Sequence, residues 1–565
     1  MPETPTKPRR PLALLLLLAA LPVAIGLVLL ERHRPRGERS DAAPGAIAKN
    51  NFKLEELPAQ AEAAAPAQEE MEALWQHMQG LLTWLKAQAG VPFRLNEMLA
   101  TFKNAQEADR WARELAAMGF QVLGRINLPG GGVILKLGWS DNAALGKLAQ
   151  LAGDGTDTPF DLGLNYLYQT PSSSPEARSN EGASGTTPSG ENTLKLMGAA
   201  PTKDWGAGVK VAVLDDGLYP HEVFGPNAPR VMDLLGADVA TSGAHGTAMA
   251  SLITGDALGL IGMAPGSDVT MYRVLGEGGV GDAFSVAQGI YAAVADGAQI
   301  INMSLGGTGD SALLAEAVRY AQSMGVVVVA AVGNEGVQAV SYPAAYDGVI
   351  GVGAVDATNT LTSFSNIGEG VDISAQGLGV LAGSTKTGYA SVTSGSSPAT
   401  ASVSGAIAAL SAYYGISATQ AAQILLANAN DYGSPGYDTE LGAGTVDMER
   451  AMNQNTKGIT DAAAVGGIVT YGNNTAAPLN VTVGVQNRGT APLTQATVTL
   501  GAGGYTNNTV VHNIAPGATG VATFQWPASR FGQSNTIQAT LTVSPLGKAD
   551  NKTSNNTQKV TLVKP

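Results

Sequence analysis

Hydrophobic and polar positions change period several times along this chain, and each change marks a segment. Residues 11–30, PLALLLLLAALPVAIGLVLL, are apolar throughout. A helix of that length rises ~1.5 Å per residue and so reaches ~30 Å, the thickness of a bilayer core. Lys7, Arg9 and Arg10 precede the run, and Arg32, Arg34, Arg36 and Arg39 follow it, so flanking charge does not set an orientation. No small-x-small cleavage pattern follows at the usual distance. The expectation is therefore a retained anchor at 11–30 behind a cytoplasmic tail at 1–10. Residues 31–92 are a spacer rich in Ala, Pro and Glu. Leu74, Trp75, Met78, Leu81, Leu82 and Leu85 recur at helical spacing within 71–88 and predict an amphipathic helix.

From residue 93 the pattern alternates between periods. FRLNEMLATF reads as a strand. A helix follows from Asn104 as N-cap to Gly119 as its stop, with Ala108, Trp111, Leu115 and Met118 on one face. FQVLGRI and VILKLGW read as strands around a Pro-Gly-Gly turn. A second helix is expected from Asp141 to Gly153, and LGLNYLY is a last strand. The order β-α-β-β-α-β predicts a small ferredoxin-like α+β domain over 93–170. Residues 171–192 are polar and rich in Pro, Gly and Ser, a linker open to proteolysis.

Residues 193–456 alternate apolar runs with Ala-rich helical stretches. VKVAVL, DVTMYRV, AQIINMSL, GVVVVAAV and GVIGVGAV read as buried strands of a parallel sheet with helices on both faces, an α/β fold. After residue 456 the helical pattern ends. NVTVGVQ, ATVTL, VATFQW, TIQATLTV and KVTLV alternate strictly between turn signals, which predicts an all-β, Ig-like sandwich over 457–565.

Composition narrows the chemistry. The chain has 565 residues, enough for several domains, and a net charge of −13, which gives a nucleic-acid partner no electrostatic support. There is no cysteine, which removes disulfides, thiolate catalysis and Cys-ligated zinc. No cofactor is required by any motif. Calcium has no clear ligand cluster: the segment after His245 carries Asp256 alone, whereas calcium takes six to eight oxygens.

The chemical signal lies in the α/β domain. Asp215 ends the strand VKVAVL, His245 opens a helix in AHGTAMASLI, and Ser397 precedes a long run of small residues in TSGSSPATASVSGAIAAL. Only five histidines exist, and His245 alone stands between small residues at a helix start; His33, His77, His221 and His512 lie elsewhere. A serine hydroxyl is a poor nucleophile until a base takes its proton, and a buried carboxylate fixes and charges that base. Asp, His and Ser in this order within one α/β domain point to acyl transfer.

At this point the chain resembles the subtilisin-like serine proteases. The resemblance covers about 193–455 and rests on VAVLDDG, HGT, GMAPGSDV, INMSLGG, AVGNEG, YPAAYDGVIGVGAVD, FSN, GSSPATASVSGAIAAL and GAGTVD. It implies that Asp215 orients His245, that His245 deprotonates Ser397 and that Asn334 donates to the oxyanion. It also implies that a peptide adds as a strand to the edge Leu275–Gly281, through Gly276, Gly278 and Gly279. Ser304, Leu305 and Gly306 would form the other wall of the main pocket, with Ser341 near its floor. Small, mostly uncharged linings lead to an expectation of apolar or medium-sized residues before the cut bond.

The nucleophile turn departs from the family's Gly-Thr-Ser-Met-Ala-Thr-Pro: it reads Gly395-Ser396-Ser397-Pro398-Ala399-Thr400-Ala401. Ala248 stands where His is common, and Gln376 where Pro is common. Residues 93–170 resemble the family's inhibitor-like prodomain, which implies an intramolecular inhibitor and a zymogen cut between about 168 and 192. Residues 457–565 resemble the adhesion-related CARDB sandwich through VGVQNRGTAPL, IAPGATGVATFQW and DNKTSNNTQKV. The expected function is a serine endopeptidase acting on protein or peptide substrates outside the cytoplasm, anchored through 11–30 or released by processing. The alternative is an impaired protease scaffold, tethered to the membrane, that serves as a binding or adhesion protein.

Overall fold

The computed structural model describes residues 91–140, 144, 160–171, 189–190, 192–236, 243–385, 388–432, 436–470, 479–531 and 536–563. The expected tail, anchor, spacer helix and most of the linker lie outside these residues. Among the described residues, no helix is long and apolar enough to cross a membrane. The chain divides into two compact units, one holding 95–164 and the other 92–94 with 165–565.

Elements β1 (Phe93–Phe102), α1 (Ala105–Met118), β2 (Phe120–Asn127), β3 (Val133–Trp139) and β4 (Asp161–Gln169) follow in that order; their residues 95–164 form the first unit, and 165–169 of β4 belong to the second. The Asn104 side chain accepts from Glu107 N at 2.9 Å and starts α1, and Gly119, at φ 108°, ends it. Those two caps satisfy backbone groups that a helix leaves free at its ends. Ala108, Trp111 and Leu115 are buried among Phe102, Phe120, Leu135, Leu137 and Trp139. The sheet order is β4-β1-β3-β2, with β3 antiparallel to both β1 and β2. Most of the expected second helix lies outside the described residues; Ala144, within it, is helical and buried.

The larger unit is built on seven parallel strands. They are β5 (Lys210–Asp215), β6 (Arg230–Asp233), β7 (Asp268–Arg273), β9 (Ile300–Met303), β10 (Val327–Ala331), β11 (Ile350–Val355) and β12 (Ile373–Gln376), in the order β12-β11-β10-β9-β5-β7-β6. The short strand β8 (Val280–Asp282) stands outside this sheet. Strands β9, β10 and β11 are buried along their whole length, as expected of a sheet covered on both faces. Helices α2 (Ala244–Thr254) and α5 (Ser396–Tyr414) pack over Val211, Val213, Val329 and Val352 on one face. Helix α3 (Ala283–Ala295) crosses the other face so closely that a Cβ on Gly289 would lie 3.0 Å from Leu214 Cδ2. Every residue of α5 from Ser396 to Ser411 is buried, which explains its nearly uniform small and apolar composition. Strands β6 and β12 lack an apolar run: β6 is an exposed edge, and β12 buries Ser374 and Gln376.

The C-terminal sandwich pairs β15 (Ala462–Thr470), β16 (Leu479–Asn487) and β19 (Thr519–Trp526) in one antiparallel sheet. Its order is β15-β16-β19. The other sheet holds β17 (Leu493–Ala502), β18 (Tyr505–Ile514), β20 (Thr536–Pro545) and β21 (Thr557–Val563) in the order β18-β17-β20-β21. Between the earlier sheet and the sandwich runs a hairpin of β13 (Val380–Gly383) and β14 (Ala390–Thr393). The sandwich core holds Val483, Val498, Leu500, Phe524, Trp526 and Leu541. The sandwich is joined to the α/β domain by hydrogen bonds: Asp431 N donates to Gly517 O at 3.0 Å, and Gln486 Nε2 donates to Asp431 O at 3.4 Å. Lys552 also pairs with Glu449 across this junction.

Candidate active site

Parallel strands deliver their last residues to one edge of a sheet, where α/β sites form. Asp215 is the last residue of β5 and is fully buried. Both of its carboxylate oxygens lie 2.9 Å from His245 Nδ1, and Oδ1 also accepts from Asp216 N at 2.7 Å. His245 sits in the first turn of α2 and keeps 24% of its side-chain surface. The turn is held by Asp216, whose carboxylate accepts from Gly246 N at 2.8 Å. A side chain at 246 would place its Cβ 2.1 Å from the Gly217 carbonyl, so the glycine after the histidine is a steric requirement.

Burial alone would disfavour the imidazolium. The Asp215 carboxylate, by charge and hydrogen bond, and the Asp216 charge outweigh it and raise the His245 pKa above its ordinary value. With Nδ1 facing Asp215, Nε2 is the nitrogen left to act as base.

Ser397 is the second residue of α5, after Gly395 at φ 149°. Its hydroxyl donates to Ser304 O at 3.4 Å, and Ser304 Oγ donates to Ser397 O at 3.0 Å. Asn302 and Ser404 continue this buried chain: Asn302 Nδ2 donates to Ser304 Oγ at 3.1 Å and Ser404 Oγ to Asn302 Oδ1 at 2.8 Å. Ser396 holds Asn334, whose Oδ1 accepts from Ser396 N at 2.8 Å and from Ser396 Oγ at 2.9 Å. The Asn334 amide is thereby aimed, and its Nδ2 donates to the carbonyl of Pro171 at 3.0 Å. Glu335 steadies the same loop by accepting from Asn334 N at 3.0 Å and from Asn366 Nδ2 at 2.7 Å.

Residues 167–170 lie as a strand between two walls. On one side Gln169 N donates to Gly306 O at 3.0 Å, and Gly306 N returns a bond to Gln169 O at 2.8 Å. On the other side Leu167, Tyr168 and Gln169 oppose Asp282, Gly281 and Val280 of β8, and Thr170 N donates to Gly279 O at 3.0 Å. The edge in use is therefore Gly279–Asp282, which begins four residues after the start of the expected Leu275–Gly281 stretch and ends one residue past it. Leu275 is buried, and Gly276 and Gly278 form the turn, with Gly276 N donating to Val280 O at 2.9 Å. Leu305 is fully buried beside Ser304, and Ser341 packs so near Gly306 that a Cβ there would lie 3.0 Å from its own.

Comparison with known proteins gives this arrangement a family. Residues 206–444 match the subtilase family, and 469–560 match CARDB. Subtilisin Savinase of Lederbergia lenta is 41% identical over 213 residues, which are 36% of this chain and 76% of that protein. Alkaline elastase YaB of Bacillus sp. (strain YaB) is 37% identical over 276 residues, 47% of this chain and 70% of its own. Subtilisin DY of Bacillus licheniformis is 35% identical over 254 residues, 44% and 91% respectively. The chain belongs to the subtilase family. It is a serine endopeptidase that hydrolyses peptide bonds of protein substrates, and it carries a C-terminal CARDB sandwich.

The unusual nucleophile turn of this subtilase is sterically sound. Pro398 is the third residue of α5, inside the first turn, where a missing N–H breaks no helical bond. Gln376, at the end of β12, donates to Asn359 Oδ1 at 2.9 Å. Asp216, Asn302, Ser396 and Ser404 escaped the reading of the sequence. The available signals were polar residues in apolar settings: Asn302 inside the strand IINM and the first serine of the pair before Pro398.

Proposed function

We propose that this subtilase is a self-processing zymogen in which Ser397 is the nucleophile, His245 the general base, Asp215 its orienting carboxylate and Asn334 the oxyanion donor. The observation that carries the reading is the Pro171 carbonyl 3.0 Å from Asn334 Nδ2, at the end of a segment hydrogen-bonded on both sides as an added strand. Such a segment is presented as substrate, and the bond next to the polarised carbonyl is Pro171–Ser172.

In the proposed reaction, Ser397 Oγ adds to the Pro171 carbonyl carbon while its proton passes to His245 Nε2. The electron pair of the C=O moves to oxygen, where the Asn334 amide stabilises it, an effect typically worth ~3 kcal/mol. Collapse breaks the C–N bond, and the proton on His245 goes to the departing amine of Ser172. Water then gives a proton to His245, attacks the ester and frees the Pro171 carboxylate as Ser397 regains its proton. The domain at 93–170 acts as intramolecular inhibitor until its tail leaves. A retained helix at 11–30 would tether the precursor with 31–565 outside the cytoplasm, and cutting would release the catalytic domain with the sandwich.

Expressing wild type and Ser397→Ala and sequencing the N-terminus of each product tests the reading. The expected outcome is a new terminus at Ser172 in wild type and an uncut chain in the variant. Identical processing in both would refute it.

A further inference from the structure

Tyr168 is the most deeply held residue of the bound segment, and its pocket is not purely apolar. Its side chain is fully buried, the second largest such side chain among the described residues. At the far end its hydroxyl donates to Gly309 O at 2.5 Å. Tyr346 lies close enough to the same point to raise the Tyr168 pKa. The Tyr346 hydroxyl is itself fixed, accepting from Ser311 N and donating to Ser311 O, both at 3.0 Å, and its ring stacks against Tyr342 at 4.7 Å. The walls are shaped by missing side chains. A Cβ on Gly307 would come within 3.0 Å of the Tyr168 ring, and one on Gly309 within 2.5 Å of the neighbouring Tyr166 ring. Burial and the facing Tyr346 and Asp310 push the Tyr168 phenol well above its ordinary pKa, so it stays a neutral donor.

Counting back from the carbonyl at Asn334, Tyr168 is the fourth residue before the cut bond. We infer that this subsite recognises the phenol hydroxyl, and that the enzyme selects substrates with tyrosine rather than phenylalanine at that position. The inference rests on the proposed alignment of 167–171 as substrate. The ring alone would fit with either residue. Phenylalanine would leave the Gly309 carbonyl facing a buried C–H, and a site built to bond a hydroxyl rejects the analogue that lacks it far more strongly than an apolar site discriminates a methylene.

The test uses the self-processed full chain with two internally quenched peptides. One copies residues 165–174, NYLYQTPSSS; the other carries phenylalanine in place of the tyrosine that corresponds to Tyr168. Casein serves as a general substrate. We expect kcat/KM for the tyrosine peptide to exceed that for the phenylalanine peptide by about tenfold or more. A Tyr168→Phe precursor should process more slowly than wild type. Equal rates for the two peptides, with casein and both peptides cut, would overturn the subsite and leave the peptidase reading standing. Casein cleavage with neither peptide cut would also overturn it. Loss of all hydrolysis would overturn both.

Discussion

The α/β domain and the C-terminal sandwich bury polar groups in opposite ways. The sandwich core is apolar, built from residues such as Val483, Leu500, Phe524 and Trp526. Its fully buried polar residues Gln486 and Asn487 lie at the end of β16 near the junction with Asp431. The α/β domain instead gathers Asp215, Asn302, Ser304, Asn334, Ser396, Ser397 and Ser404 at one edge of its sheet, all nearly or fully inaccessible. A buried polar group without a partner costs free energy, so such a cluster persists only where each member is bonded and the group serves chemistry. The sandwich interior is apolar at its centre, and its buried polar groups Gln486, Asn487 and Asp461 sit at strand ends.

That contrast can be broken most sharply at Trp526, which is fully buried and meets Tyr505 edge-on at 5.0 Å. Trp526→Ala should destabilise the sandwich by about 3–5 kcal/mol, read from its thermal or denaturant transition. At room temperature kcat/KM of the processed enzyme should stay within about twofold. Activity falling in step with sandwich stability would show that the two regions are not energetically separate.

At the polar edge the converse holds. On the proposed role of Asn334 as oxyanion donor, Asn334→Ala should lower kcat by about 100-fold or more with little change in KM, because such an amide acts on charge that develops in the transition state. Its melting temperature should change little beside that of the tryptophan variant. An effect confined to KM would remove Asn334 from the oxyanion site.

A smaller effect sharpens the comparison at the sandwich's entry. Burial, reinforced by the charge of Asp550, raises the pKa of Asp461 to about 6, although Asn555 donates to it at 2.7 Å. A raised folded-state pKa means the native state holds the proton more tightly than the unfolded chain. The resulting stabilisation is full below the ordinary aspartate range and is lost as pH rises through about 6. Asp461→Asn, which cannot ionise, should therefore be more stable than wild type at pH ~8, by up to about 2 kcal/mol. The difference should close on acidification to pH ~4. A stability difference that did not change with pH would show that ionisation of Asp461 is not its source.

Local periodicity made much of this molecule legible. The α1 stripe of Ala108, Trp111 and Leu115, bounded by Asn104 and Gly119, records a helix with one buried face, because that face repeats every three or four residues. The five apolar runs of the α/β domain became buried parallel strands because a sheet covered on both faces needs apolar residues without alternation. The order Asp215, His245, Ser397 was readable because chemistry restricts residue type, and only one histidine stood at a suitable helix start. Elements without a clean pattern were not readable: β15 begins with three alanines and carries a double glycine, and β18, YTNNTVVHNI, is a mostly exposed edge strand.

By itself, then, the sequence determined the α/β and sandwich folds, whose patterns of apolar and polar residues are local, and it offered the residue types for a candidate site. Only the tertiary structure decided which carbonyl meets Asn334, that Gly279 and β8 rather than Gly276 and Gly278 pair with the bound strand, and that Tyr168 ends against Gly309. Those contacts join segments separated by more than a hundred residues. Their register is set by packing and hydrogen bonding between surfaces, which leave no repeat within either segment.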